Sequence, residues 1–173
     1  MNRGYRWLAA AGVIFVLGVA AGGFAAARTA PETLYEYFAG FSGGEINIRT
    51  GTAVLDALVL WAVLFFSAFF RFGAVSSALA VGAKGFTDGY AVTAILRILG
   101  IKGIGLCFFD IFGAPLTLLM AAYTLCALTD SAQAGAKYLA RSGLLLALMV
   151  IFAAAGTAAA GAIAGAVFGK LTL

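Results

Sequence analysis

Lys84 and Asp88 have the residue types and spacing that most directly suggest chemistry. They lie four positions apart within the segment Ala83–Tyr90 (AKGFTDGY), inside an otherwise apolar run from Gly73 to Leu96. On a continuous helix this spacing puts both side chains on one face, where they can pair and neutralise each other. Charges in such surroundings often belong to a translocation path or a docking site. A structural pair that fixes helix packing, or a loop where both charges contact water, is the alternative.

Asp110 is a second isolated acid in an apolar run, and Pro115 follows five residues later. A proline inside a helix frees a backbone carbonyl about one turn earlier, so this position predicts a kink or break. An acid beside a kink could bind a cation or relay protons. It could equally pair with Lys84, Arg97 or Lys102 across a bundle.

Enzymatic chemistry has little support in the rest of the sequence. The chain has no histidine, and its two cysteines, Cys107 and Cys126, lie in one apolar run. No Ser-His pair, H-E-x-x-H motif or Walker A loop is present. The sequence therefore predicts a non-enzymatic protein with no metal site and no cofactor.

The composition is that of a membrane protein. Of the 173 residues, 64% are hydrophobic and only 10% are charged, against roughly 25% charged in a soluble domain; the mean hydropathy is +1.06. The apolar runs are continuous, which favours helices over a barrel. The small net charge of +4 suits cytoplasmic loops, so lipid and other membrane proteins, not nucleic acid, are the expected partners.

The apolar runs predict an all-α bundle of about five transmembrane helices in a single membrane domain covering residues 1–173. The predicted spans are residues 7–27, 52–70, 72–96, 104–128 and 142–168. The third helix is expected to be broken near Lys84–Tyr90, at Gly85 and Gly89. In the first loop, the apolar spacing over Leu34–Phe41 predicts a short amphipathic helix on the membrane surface.

The first span has two interpretations. Arg3 and Arg6 precede it, and Ala25 and Ala27 form an A-x-A-like cleavage site. Its length of about 20 residues suits a retained span better than a signal peptide. We therefore expect a retained helix with a cytoplasmic N-terminus. The positive-inside rule does not decide the orientation, because the five crossings leave equal numbers of Lys and Arg on each side.

Glycines at four-residue intervals occur in three of the predicted spans. This spacing lets helix backbones approach closely, either within the bundle or at a surface for a second copy or a partner helix. The glycines concerned are Gly18 and Gly22 in the first span, Gly85 and Gly89 in the third, and Gly161, Gly165 and Gly169 at the end of the fifth.

Several short motifs follow one another along the whole chain: Phe15–Val19 (FVLGV), the segment Leu34–Phe41, Lys84–Phe86 (KGF), Gly89-Tyr90, the turn Gly100–Gly103 (GIKG), and Pro115. In this order they resemble the stage II sporulation protein M family of small five-helix membrane proteins. Where that family often carries Leu-Pro-Gln-Asn, this chain has Gly113–Leu116 (GAPL).

The resemblance implies a membrane scaffold in the bacterial cell membrane that acts during endospore formation. Such a scaffold recruits two peptidoglycan-degrading partners, sporulation proteins D and P, to the septal membrane during engulfment. The alternative function is a small permease, or a permease-like transporter subunit, that uses Lys84 and Asp88 in a discontinuous helix.

Overall fold

The computed structural model describes residues 3–34, 50–129 and 136–168, and in these residues it is helical with no strand. The helices are α1 (Arg3–Arg28), α2 (Thr50–Ser67), α3 (Gly73–Leu99), α4 (Ile104–Thr129) and α5 (Ala136–Phe168). A short 3-10 turn, Gly100–Gly103, joins α3 to α4. Residues 31–34 are also helical; the rest of the predicted amphipathic segment Leu34–Phe41 lies outside the described residues.

The prediction of an all-α fold is confirmed, and each predicted apolar segment coincides with one helix. Four boundaries differ by three residues or more. Helix α1 begins at Arg3 and α3 ends at Leu99, both outside the predicted spans. Helix α2 ends at Ser67 and not at residue 70, and α5 begins at Ala136, six residues before the predicted span. The extra N-terminal turns of α5 carry polar residues, so hydropathy alone did not include them. They nevertheless place Tyr138 in the core.

The predicted break in the third helix is wrong. Helix α3 is continuous over 27 residues, and Gly85 and Gly89 lie inside it. Each glycine costs about 1 kcal/mol of helix propensity relative to alanine, but both are packed against α1, and that packing favours the helical conformation. Pro115 also lies inside a helix, since α4 continues on both sides of it.

Helix α3 ends at a glycine whose conformation requires that residue. Gly100 has φ of 58°, and its N–H donates to the carbonyl of Leu96. A side chain at positive φ would be strained, so glycine is the natural residue for this cap. The chain then reverses through four residues into α4. At the other end of α3, backbone hydrogen bonds such as Gly73 N–H to Phe70 O (2.9 Å) form a tight turn from α2.

The contacts between helices give their directions. Gly18 lies against Gly82, and Gly22 lies against Phe86. Residue numbers therefore increase in the same direction along both helices, and α1 and α3 are parallel. In contrast, Trp61 contacts Ser142 while Phe65 contacts Tyr138, so α2 and α5 are antiparallel. Short turns make α2 and α4 antiparallel to α3. Odd-numbered helices therefore run one way and even-numbered helices the other.

The interior of this bundle is small and the exterior is strongly apolar. The core cluster consists of Ala11, Leu64, Phe65, Val81, Met120, Ala121 and Tyr138. Large apolar side chains point outward from every helix, and examples are Leu17, Phe24, Val59, Phe66, Leu79, Leu119, Leu144 and Ile151. A soluble monomer rarely exposes contiguous apolar surface on this scale. The exterior is therefore suited to hydrocarbon.

Among the described residues, two helices are long and apolar enough to cross a membrane, Arg6–Arg28 and Tyr138–Ala159. Only 11% and 17% of their most apolar windows are buried. A core helix of a soluble protein also passes a test of length and hydropathy, but such a helix is mostly buried. Two shorter apolar helical stretches, Ala53–Ser67 and Ala114–Cys126, accompany them.

Candidate functional site

The closest helix contact described is between α1 and α3, at Gly18, Gly22, Gly85 and Gly89, which we call the glycine interface. A Cβ added at Gly22 would lie 2.8 Å from the carbonyl carbon of Phe86, and one at Gly89 would lie 2.7 Å from Cα of Val19. The obstacles are backbone atoms, which cannot rotate away. The glycine interface therefore holds two parallel helices in backbone-to-backbone contact.

The contacts of the glycines in the last predicted span are not among the described parts of the structure. Gly161 and Gly165 belong to α5, but their surroundings lie outside the described part, as does Gly169 altogether. Their predicted role in packing or partner docking stays a prediction. The same holds for the carboxylate of Asp110, whose backbone is in α4.

Lys84 and Asp88 form the ion pair that their spacing predicts. The Nζ of Lys84 donates to Oδ1 of Asp88 on the same face of α3. The Lys84 side chain is 30% exposed and that of Asp88 is 12% exposed, so the pair lies at the rim of the bundle. Because α3 extends from Gly73 to Leu99, the pair flanks the helix midpoint at Phe86.

The pair has a polar neighbour on the same helix. Two cavities are described, and neither is lined by Lys84 or Asp88. On the neighbouring turn, Thr87 is exposed and its hydroxyl donates to the carbonyl of Lys84 at 2.9 Å. The arrangement joins a cation and an anion side by side at mid-helix, with small or polar neighbours on the outside.

Arg97 connects the ends of α1 and α3. Its Nη1 donates to the carbonyl of Ala26 at 2.6 Å and to that of Thr29 at 2.8 Å. The last carbonyls of a helix lack intrahelical partners and carry partial negative charge, so a guanidinium there is doubly favourable. Next to it, the hydroxyls of Thr29 and Tyr90 lie 3.3 Å apart. Arg97 therefore caps α1 from another helix.

The C-terminus of α2 is capped in an equivalent way at the opposite end of the bundle. Thr124 donates its hydroxyl to the carbonyl of Leu64 at 3.0 Å and to that of Met120 at 2.9 Å. Tyr138 donates to the carbonyl of Phe65 at 3.3 Å. These groups come from α4 and α5, so the cap joins three helices and leaves the end of α2 satisfied in an apolar environment.

A stack of aromatic rings surrounds this cap, and we call Trp61, Phe65, Tyr138 and Tyr123 the aromatic stack. Trp61 stacks on Phe65 at 4.8 Å between centroids, Phe65 on Tyr138 at 5.4 Å, and Tyr138 on Tyr123 at 5.4 Å. The guanidinium of Arg141 lies 5.9 Å from the centre of the Tyr123 ring. Each ring pair contributes about 0.5–1.5 kcal/mol beyond burial. The aromatic stack therefore makes this end of the bundle rigid.

A small cavity of about 80 Å³ lies between α1, α3 and α4. Its walls are almost entirely apolar, and Ser77 is the polar side chain at its edge. The Ser77 hydroxyl is fully buried and has no hydrogen-bond partner among the described residues. Serines inside helices often bond to the preceding turn, and this hydroxyl differs from Ser67 and Ser142, which do so.

Comparison with protein-family models, with curated proteins and with solved structures finds no match for this chain. The resemblance to the stage II sporulation protein M family is therefore neither supported nor contradicted by these comparisons.

Sequence reasoning found the ion pair and four interfacial glycines, but it missed the capping residues. The predicted third span ends at residue 96 and so excludes Arg97, whereas Arg97 lies in the last turn of α3 and reaches α1. Thr124 and Tyr138 were not singled out. Their partners lie 60 and 73 residues away along the chain, so no local pattern marks them. Tyrosine near a span end was the one available signal.

Proposed function

We propose that this chain is an integral membrane protein whose five helices each cross the bilayer. The observation that carries the proposal is the distribution of side chains, with large apolar groups exposed on the outside of every helix around a small interior. This arrangement is costly in water and favourable in lipid. Buried hydroxyls such as Ser67 and Thr124 bond to backbone carbonyls, which suits a medium that offers no other partners.

The helix lengths support crossing by each helix. The shortest, α2, has 18 residues, which corresponds to about 27 Å at the α-helical rise, close to the ~30 Å hydrocarbon core. The other four have 26 to 33 residues, enough to cross with some tilt. Alternating directions in the bundle agree with successive crossings.

The glycine interface supports retention of the first helix. A signal peptide that is cleaved off is not expected to pack its backbone closely against the backbone of a later helix. Here Gly18 and Gly22 meet backbone atoms of α3, and Arg97 caps the end of α1. Removing α1 would leave Gly85 and Gly89 facing an empty groove. In this proposal α1 is therefore a permanent part of the membrane domain.

Within the membrane, we assign the chain the role of a non-enzymatic scaffold for peptidoglycan-remodelling partners, as the resemblance implies. Close helix packing, interhelical caps and the aromatic stack give a rigid anchor. The transport alternative requires water to reach Lys84 and Asp88. We propose the scaffold first because the resemblance and the close packing of the helices favour it.

Two measurements test the proposal in order. Alkaline carbonate extraction of cells expressing the tagged full chain should leave it in the membrane pellet, and release into the supernatant contradicts membrane integration. The tagged chain is then captured from sporulating cells in mild detergent. Peptidoglycan hydrolases should be enriched over a capture of an unrelated membrane protein of similar size and expression.

Co-capture of peptidoglycan hydrolases tests the scaffold role, and this test is independent of the test for membrane integration. A chain that stays in the pellet but captures no peptidoglycan hydrolase contradicts the scaffold and keeps the membrane domain. A deletion strain gives the matching cellular readout, since the hydrolases should no longer concentrate at the septal membrane. Unchanged hydrolase localisation in that strain would also contradict the scaffold.

A further inference from the structure

The cavity between α1, α3 and α4 contains one group that its apolar walls do not accommodate. The cavity has a volume of about 80 Å³, and the buried side chains of Ala11, Val81 and Ala121 line it. Ser77 also lines the cavity, and its buried hydroxyl has no hydrogen-bond partner among the described residues. Burying a hydroxyl without a partner is unfavourable. A ligand that accepts one hydrogen bond and is otherwise apolar would therefore be favoured here.

The cavity opens to the outside of the bundle near the N-terminal ends of α1 and α3. At the glycine interface, nearer the other end, the backbones of these two helices are in contact. Ala10 of α1 and Ala74 of α3 line the cavity and are exposed. Both side chains are small, so the opening leaves room for a hydrocarbon chain to enter from the surrounding lipid.

The depth of Ser77 suits the ester carbonyl of a phospholipid. The inference rests on the proposed function in one respect, namely that α3 crosses the membrane. Helix α3 has 27 residues, so it is about 40 Å long and exceeds the ~30 Å hydrocarbon core by about 5 Å at each end. Ser77 lies four residues after the start of α3, about 6 Å along its axis, where the hydrocarbon core meets the headgroups. Trp7, which also lines the cavity, is of a type enriched at this boundary.

Two arginines lie on the headgroup side of the cavity. Arg6 directly precedes the lining residue Trp7, and Arg71 lies three residues before the lining residue Ala74. Both arginines are exposed. Arg71 is six residues before Ser77, at most about 9 Å outward along the axis of α3, and the headgroup layer is about 5–8 Å thick. A lipid whose ester carbonyl lies at Ser77 therefore has its phosphate within reach of these guanidinium groups.

We propose that this cavity is a binding site for one phospholipid with a net negative headgroup. The upper part of one acyl chain lies in the cavity against Ala11 and Val81. The Ser77 hydroxyl, after rotation about its Cα–Cβ bond, donates to the ester carbonyl of that chain. The guanidinium groups of Arg6 and Arg71 bind the phosphate. Two positive charges favour a net negative headgroup over a zwitterionic one, which carries a cation of its own.

The chemistry of the lining favours an acyl ester over a cluster of water molecules. A buried water molecule typically makes about three hydrogen bonds, whereas this lining offers the Ser77 hydroxyl and walls that are otherwise almost entirely apolar. An acyl ester needs one donor for its carbonyl and apolar contacts for its methylene groups. The cavity supplies both, and the arginines outside it supply the partner for the phosphate.

Native mass spectrometry of the full chain counts the lipids bound to it. The protein is purified in mild detergent and mixed with equal amounts of phosphatidylglycerol and phosphatidylcholine that carry the same acyl chains. We expect one phosphatidylglycerol per chain at saturation, bound about fivefold or more over phosphatidylcholine. Ser77→Ala should lower its binding about fivefold through the lost hydrogen bond, and Arg6→Gln with Arg71→Gln should remove the preference. Equal binding of both lipids by the unsubstituted chain overturns the proposal and leaves membrane integration standing.

A steric variant tests whether the acyl chain enters the cavity. Ala74→Leu narrows the opening and changes no charged or polar group. The matched control is Ala20→Leu, at an exposed position of α1 outside the cavity lining. We expect about fivefold or greater loss of bound phosphatidylglycerol for Ala74→Leu and no change for Ala20→Leu. Equal binding by the two leucine variants overturns the proposal, as does displacement of the lipid by millimolar glycerol 3-phosphate, which has the phosphate but no acyl chain.

Discussion

At the scale of single residues, the charges of α3 are used in two different ways. Lys84 is bound to a carboxylate one turn away, whereas Arg97 is bound to carbonyl oxygens of a different helix. The first arrangement neutralises a charge at mid-helix. The second places a charge where a helix end already offers negative partial charge. Both reduce the cost of keeping a cation in a chain with very few charged residues.

The ion pair predicts a non-additive pattern of stability. Lys84→Ala and Asp88→Ala each leave one charge without its opposite at the middle of α3. Each single change should lower the free energy of unfolding by about 1–3 kcal/mol, and the double change should cost less than their sum. Unfolding in mixed detergent micelles gives the three values. A double variant that loses the full sum of both singles contradicts a coupled pair.

The capping role of Arg97 predicts a loss of stability that the arginine before the start of α3 does not share. Arg97→Gln removes the positive charge at the end of α1 and weakens two hydrogen bonds, so it should cost about 0.5–1 kcal/mol. Arg71→Gln is the control, because Arg71 is also exposed and takes part in none of the described hydrogen bonds. Equal unfolding free energies for the two variants would contradict the cap.

At the scale of helices, the glycine interface explains why α3 remains continuous. A glycine in isolation weakens a helix, and three of them within eight residues, at Gly82, Gly85 and Gly89, suggested a break. In the bundle they form the groove into which α1 packs. The local preference against helix is therefore outweighed by contacts that only a glycine permits.

Two alanine substitutions on α1 separate packing from propensity. At Gly22 a Cβ would lie 2.8 Å from the carbonyl carbon of Phe86, whereas at Gly12 nothing lies within 4 Å. Gly22→Ala should therefore lose about 1–3 kcal/mol through overpacking, and Gly12→Ala should gain up to about 1 kcal/mol from helix propensity. The free energy of unfolding in micelles measures both. A stabilised Gly22→Ala variant would show that α1 and α3 are not in backbone contact.

The sequence predicts the local features of this fold and misses those that depend on contacts between helices. Continuous apolar runs located the helices, because hydropathy is a local property. The spacing of Lys84 and Asp88 predicted their pair for the same reason. Arg97 and Ala26 are 71 positions apart and Tyr138 and Phe65 are 73 positions apart. The continuity of α3 depends on equally distant contacts with α1, such as Gly89 against Val19. Such contacts follow from the assembled bundle and leave no local pattern.

At the scale of the whole molecule, arginines lie at both ends of the bundle. Arg6, Arg71 and Arg141 are exposed at the end where α1, α3 and α5 begin. At the other end Arg97 donates to the carbonyls of Ala26 and Thr29, and Arg28 lies over the ring of Phe24. Because the count of Lys and Arg is balanced, we predict the orientation from the first span, which usually has the most weight, and expect the N-terminal end of α1 in the cytoplasm.

Two exposed turn residues at opposite ends of α3 make this orientation measurable. Phe72 is 75% exposed before the helix and Ile101 is 85% exposed after it. In intact cells a membrane-impermeant maleimide should label Ile101→Cys, and it should label Phe72→Cys only after the membrane is opened. The unsubstituted chain corrects for Cys107 and Cys126. The opposite pattern would reverse the orientation, and labelling of both positions in intact cells would contradict a crossing by α3. Because both sites flank one helix, the comparison tests orientation and crossing together.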